Sequence, residues 1–331
     1  MGTLKKVTFT GVDEHTDLDR LAKIQEKYPY AEFGILFSEK YKENGHRYPS
    51  PAFLQKLVGC NLNLSAHLCG RLVRDSYNGN WEGLTNIFKA DGNDYEQVRN
   101  LFSRCQLNVS AYHYKVGLNQ ETHPFNPNIQ FIVQQRSAKD CLAYTISSGR
   151  SNVYLLCDPS GGRGKESEWV YYYPNMKTDM VGYAGGIGVD NVEEKLSKIA
   201  ENTFADFWID MESKVRDDQD WFDLDSVETV LEKVDRWFKM REEENEKLDD
   251  DQRTMRIKFV VECSSPVCMS EGMSLKERVR SYIKMCEDAM DESMRHWGDH
   301  DHDIELDAAS VVEFDEEGKD TNVVNFDLSE L

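Results

Sequence analysis

The feature that most constrains this chain is an alternation. Eight short apolar runs are separated by segments of helical spacing, and polar residues or glycines stand at or beside the C-terminal ends of most of the runs. The runs are Leu4–Thr10, Phe33–Phe37, Leu62–Leu68, Arg104–Val109, Gln130–Gln134, Val153–Asp158, Val181–Ala184 and Phe207–Met211. Runs this short and apolar read as buried strands. Between them, Leu18–Lys27 places Leu18, Leu21, Ala22 and Ile24 at helical spacing behind Thr16 and Asp17 as caps. Pro51–Val58 opens on proline, and Ala138–Ser147 and Val192–Glu201 are further helices. Leu224–Arg241, behind Asp223, carries Leu224, Val227, Leu231, Val234 and Phe238 on one stripe. Gly79–Ala90 is irregular, with a helix starting near Trp81 and Leu84, and 112–128 reads as a loop. Strands joined by crossover helices form a parallel sheet. A closed ring and an open, doubly wound sheet share that element order. The special residues separate them: Thr10-Gly11, His67, Asn108, Gln134, Asp158, Gly185-Gly186 and Asp210 all sit at the C-terminal ends of runs. Parallel barrels build their sites from those ends. The expected fold is an α/β (β/α)8 barrel.

A barrel takes about 250 residues, and this chain has 331. The charged stretch REEENEKLDDDQRT at 241–254 is a helix end or a linker. The expected domains are a barrel over 1–245 and an acidic α+β extension over 255–331. In the extension, Met255–Cys263 reads as a strand and Ser274–Trp297 as an amphipathic helix. Ala309–Phe314 and Asn322–Phe326 read as strands joined by a turn near Glu317-Gly318. The formal net charge is −21, and 255–331 holds 19 acidic against 8 basic side chains. Such a surface repels nucleic acid at a distance, so none is expected as partner. No run approaches the roughly 20 apolar residues that cross a bilayer, and the apolar run after Lys5 and Lys6 is too short for a signal peptide. No membrane partner and a cytoplasmic location are expected. The eight cysteines form no CxxC pair and read as reduced thiols. His296, His300 and His302 alternate with Asp299, Asp301 and Asp303 without a constrained ligand spacing, so no metal is expected. The extension is a candidate surface for a homodimer or a protein partner.

Six segments in order, VTFTGVDE (7–14), EFGILFS (32–38), QLN (106–108), LLCDPSGGRGK (155–165), GYAGGIGVDNV (182–192) and WIDMESKVR (208–216), resemble phosphoribosylanthranilate isomerase. The resemblance spans roughly residues 4–236. It implies a TIM barrel, no cofactor, and an Amadori rearrangement of an N-linked phosphoribosyl amine. It places the general acid on Asp158, a carboxylate-binding arginine on Arg47, and a phosphate on backbone at Gly185, Gly186 and Met211, Glu212, Ser213. The family's cysteine base falls on Thr10. A threonine hydroxyl cannot replace a thiolate without an adjacent base, and His67 is the substitute nearest in pKa. Asn108, Gln134 and Asp210 are positioned to bond sugar hydroxyls, and Arg163 to close over the ligand with its glycine-rich loop. Asp210 and Glu212 have the alternative of pairing with Lys214 or Arg216. Arg71 and Arg74 join Arg47 in a positive mouth, or pair on the surface. The loop DPSGGRGK lacks the GxxxxGK[ST] spacing of a nucleotide-binding P-loop. The expected function is isomerase-like acid–base chemistry on a phosphorylated, ribose-containing small molecule, changed from the family's reaction. The alternative is a non-catalytic barrel that senses or sequesters a nucleotide or phosphosugar.

Overall fold

The computed structural model describes residues 2–40, 46–110, 123–136, 152–161, 169, 180–203, 205–247, 308–314 and 320–327. Eight strands close into a ring in chain order: β1 (Leu4–Thr10), β2 (Ala31–Phe37), β3 (Leu64–Leu68), β4 (Phe102–Ser110), β5 (Gln130–Gln135), β6 (Val153–Cys157), β7 (Met180–Ala184) and β8 (Asp206–Met211). All neighbours are parallel. The ring closes where β8 returns to β1, with Val7 opposite Ile209, Thr8 opposite Asp210 and Phe9 opposite Met211. The barrel expected from the alternation is the barrel observed. The helices are α1 (Leu18–Lys27), α2 (Pro51–Leu57), α3 (Gly70–Tyr77), α4 (Glu82–Lys89), α5 (Tyr95–Arg99), α6 (Val192–Asn202) and α7 (Leu224–Lys247). The helix expected over 138–147 lies outside the described residues, as does most of the 112–128 loop.

Local chemistry accounts for several of these ends. Asp17 caps α1 by accepting from the Arg20 amide at 3.0 Å, while Thr16 turns away to bond Asp13. Asp94 caps α5 through two amides. Helix α3 was not foreseen in the sequence. It begins at a glycine with no side-chain cap of its own from Cys69. Its free amide at Arg71 is met by the Glu39 carboxylate, at 3.1 and 3.2 Å, from the loop after β2.

Two apolar layers hold the barrel. The larger lies between strands and helices and includes Phe9, Phe33, Phe131, Phe207, Leu196 and Leu231, all fully buried. The smaller lies inside the ring, where Ile132, Leu156, Ala184 and Trp208 pack together. The other side of the lumen is polar. Arg104 donates to Glu32 at 2.9 Å, Thr8 donates to the same carboxylate oxygen at 3.0 Å, and the guanidinium lies 4.2 Å over the Trp208 ring. Burial of a charge is tolerated only with such compensation.

By its own contacts the chain divides into two compact units, Met1–Glu243 and Glu244–Leu331. In the second, β9 (Ala308–Phe314) and β10 (Asp320–Asp327) form an antiparallel pair with Val312 opposite Val323. The strand and helix expected over 255–263 and 274–297 lie outside the described residues. No helix among the described residues is long and apolar enough to cross a membrane.

Candidate active site at the barrel mouth

The C-terminal ends of seven strands, with the loops that follow β6, β7 and β8, surround one cavity open to solvent. β1 contributes Thr10, β3 His67, β4 Gln106 and Asn108, and β5 Gln134. β6 and its loop contribute Leu156, Asp158 and Ser160, and β7 and its loop contribute Ala184, Gly185, Gly186 and Ile187. β8 and the turn after it contribute Asp210, Met211, Glu212, Ser213 and Lys214. β2 contributes an absence. A Cβ on Gly34 would lie 2.6 Å from the Thr10 hydroxyl and 2.9 Å from His67 Nε2, so glycine there lets those two side chains approach each other.

The polar groups form one connected system. Thr10 Oγ1 donates to Asp210 Oδ1 at 2.7 Å, and Gln106 Nε2 donates to Asp210 Oδ2 at 3.3 Å. Gln106 also donates to Asn108 Oδ1 at 3.0 Å. Gln134 Nε2 reaches Asn108 Oδ1 and Asp158 Oδ2, each at 3.5 Å, and Ser160 donates to Asp158 Oδ1 at 2.6 Å. The two carboxyl groups are thus joined through side-chain amides across the mouth. Below them His67 Nε2 lies 3.0 Å from Ser65 Oγ, and Nδ1 lies 3.4 Å from Thr10 Oγ1.

Burial sets the protonation of this system. It pushes the Asp210 carboxyl up to about 7, against the lowering effect of the bonds from Thr10 and Gln106, while the charges of Glu212 and Asp158 raise it further. A carboxyl at that value is ionised in only part of the population near neutrality. Burial, helped by the nearby Arg104 charge, drives His67 down to about 3, so it is a neutral imidazole. Cys69, whose sulfur accepts from Asn108 Nδ2 at 3.1 Å, is pushed up to about 11 by burial and stays a thiol. Asp210 is therefore poised to exchange a proton in the neutral range, and burial raises Glu212 on the same wall as well.

Of the residues singled out in the sequence, Thr10, His67, Asn108, Gln134, Asp158, Gly185, Gly186, Asp210, Met211, Glu212 and Ser213 share this cavity. Arg47 is beside it rather than on its wall. Its guanidinium makes two 2.8 Å bonds to Asp220 and one of 2.6 Å to Glu212. Arg71 lies on α3 and pairs with Asp75 at 3.2 Å. Arg163 lies outside the described residues. Gln106, Ser160 and Lys214 were not singled out as site residues. Gln106 stands two residues before Asn108, on the same face of β4, so the two-residue period of a strand was the signal. Asp210 and Glu212 were singled out, but the pairing of Asp210 with Thr10 crosses 200 positions and left no mark in the sequence. Beyond the wall, Arg216 donates to the carbonyls of Gly11 at 2.9 Å and His46 at 3.2 Å, and Trp221 stacks on His15 at 3.6 Å. These contacts tie together the loops after β1, β2 and β8. No cluster of metal-ligating side chains occurs among the described residues.

No family model and no curated protein matches the chain. Solved structures do. Phosphoribosylanthranilate isomerase from Thermotoga maritima, in monomers generated from the dimeric enzyme, is 15% identical, with a TM-score of 0.42 over 70% of this chain and 99% of that one. TrpF from Jonesia denitrificans is 12% identical, with a TM-score of 0.40 over 69% of this chain and 95% of that one. Phosphoribosyl anthranilate isomerase from Thermus thermophilus is 12% identical, with a TM-score of 0.41 over 70% of this chain and 98% of that one. Scores and identities this low carry no argument about chemistry, which rests on the cavity itself.

Proposed function

We propose that the chain is an isomerase-like enzyme acting on a phosphorylated, ribose-containing small molecule. In this reading Asp210 and Asp158 divide the general-acid and general-base roles between them. The observation that carries it is the Asp210 carboxyl, held by Thr10 and Gln106 and raised to about 7, in the same cavity as Asp158 and the Gly185-Gly186 turn.

An aldose-to-ketose rearrangement needs a proton delivered to the furanose oxygen as the ring opens, then a proton removed from C2 of the sugar. Two carboxyl groups that face one cavity can divide that work, one entering protonated and the other ionised. Ser160 and Gln134 fix the two oxygens of Asp158. Asp210, protonated in part of the population and ionised in the rest, can serve at either step, with Asp158 as its counterpart. Thr10 then has a physical role without being a base: its hydroxyl orients Asp210. His67, too weak a base to compete, packs beneath as a neutral neighbour. Gln106, Asn108 and Gln134 offer amides to sugar hydroxyls. Gly185 and Gly186 adopt φ of +107° and +72°, a backbone that suits close approach of a phosphate to main-chain N–H groups.

The test is a turnover assay with N-(5-phosphoribosyl)anthranilate and with ribose 5-phosphate, on the wild type and on Asp210→Asn and Asp158→Asn. Turnover of either compound, reduced at least about a hundredfold in both variants, supports the reading. Saturable ribose 5-phosphate binding without turnover favours a phosphosugar-binding barrel that senses or sequesters its ligand. Absence of saturable binding by any ribose phosphate sinks both.

A further inference from the structure

We infer that Lys214 supplies the positive charge that holds the ligand's phosphate, an assignment that rests on the ribose-phosphate reading above. The need for such a charge is visible in the cavity wall, which carries three acidic side chains, Asp158, Asp210 and Glu212. An incoming phosphate dianion is repelled by whichever of them is ionised, and main-chain N–H groups carry only partial charges to offset that. Arg47 does not fill the need. Its donors go to Asp220 and to Glu212, so its charge is shared between two carboxylates outside and on the rim of the cavity.

Lys214 lines the same cavity, immediately after Glu212 and Ser213. Among the described residues no carboxylate lies within ion-pair distance of it, whereas Arg47 and Arg216 nearby are both paired. It is also anchored at its base against the loop after β7. A Cβ on Gly188 would lie 2.4 Å from Lys214 Cβ and 2.9 Å from Cγ, so the lysine stem occupies the space a side chain at 188 would need. The stem therefore bridges the two loops whose backbone faces the phosphate end of the cavity. A compact ammonium on a flexible stem, fixed at one end, suits a phosphate as a point charge. Arg47 contributes indirectly, by neutralising Glu212 two residues away.

The experiment is calorimetric titration of ribose 5-phosphate and of unphosphorylated ribose into the full chain as wild type, Lys214→Met, Lys214→Arg and Gly188→Ala, at one low ionic strength. Lys214→Met is expected to weaken ribose 5-phosphate by about ten- to a hundredfold, the range of one charge-assisted hydrogen bond, and to leave ribose unchanged. Lys214→Arg is expected to stay within several-fold of wild type. Gly188→Ala, which displaces the stem, is expected to weaken the phosphate compound alone. Wild-type affinity for ribose 5-phosphate in Lys214→Met overturns this assignment and leaves the ribose-phosphate reading standing. A wild type that binds no ribose 5-phosphate overturns both.

Discussion

At the scale of single residues, the Asp210 carboxyl is held where its charge is disfavoured. Its folded pKa lies near 7, above its ordinary value of 3.8. The folded state therefore holds the proton more tightly than the unfolded one. The stability this proton gives is complete below the unfolded pKa and is lost as pH rises through about 7. Asp210→Asn removes that loss, since an amide keeps an acceptor for Thr10 and carries no charge. The variant should be more stable than wild type at pH 8, by about 2–4 kcal/mol on linkage, with little difference at pH 4, while its turnover falls. Thermal melts at the two pH values check this, and equal shifts at both would remove the buried charge as the cause. His67 acts on the other flank. Its folded pKa of about 3 lies below 6.5, so the unfolded state binds the extra proton and stability falls as pH drops from 6.5 toward 3. Replacement of His67 by Gln should flatten that acid limb in the same melts. Gly34→Ala is the steric counterpart. Its Cβ would press on the Thr10 hydroxyl and on His67, and it should cost about 1–3 kcal/mol and lower turnover by moving Thr10 off Asp210. None of these properties was legible in the sequence. The 158–165 loop marked Asp158, and strand ends marked Thr10, His67 and Asp210. A pKa, however, depends on which distant groups burial brings together, and Gln106 and Thr10 reach Asp210 only once the ring has closed.

At the scale of elements, the strands were readable because each carries its own evidence: a short apolar run with a turn residue after it. The helices were readable where capping is local, as at Asp17 in front of α1. Helix α3 was not, because its cap is Glu39 from another loop, and among the described side chains of 70–77 only Leu72 and Val73 are both buried and apolar. The loops around the mouth follow the same logic. Arg216 and Trp221, in the segment after β8, secure the loops after β1 and β2. The Arg216 side chain is 2% exposed, with Asp13 among its partners. Arg216→Ala should cost about 3 kcal/mol or more by leaving Asp13 and the Gly11 carbonyl without that partner. Amide hydrogen exchange should rise at 11–16 and 46–50 before it rises in β5 and β6. Uniform exchange across the barrel would mean that these loops are not held by this side chain.

At the scale of the whole molecule, the ring has two interiors. Apolar packing between strands and helices supplies the cooperative core, and inside the ring an apolar half at Ile132, Leu156 and Trp208 faces the Arg104–Glu32 pair. Arg104→Met alone leaves Glu32 buried without its main partner, and should cost about 3–5 kcal/mol in denaturant unfolding. Arg104→Met combined with Glu32→Gln should recover most of that loss, since the pair itself contributes little net stability. The polar column above this pair, from Ser65 through His67 and Thr10 to Asp210, ends at the cavity where Asp158 and the Gly185-Gly186 turn also converge. There Asp210 is expected to exchange a proton in the neutral range. Carbon-detected NMR of the aspartate side-chain carboxyls, titrated with pH in wild type and Asp210→Asn, measures it directly. One aspartate carboxyl is expected to titrate near pH 7, to be missing from the variant, and to shift when ribose 5-phosphate is added. Aspartates that all titrate below pH 5, or a neutral-range signal that survives in Asp210→Asn, would contradict it.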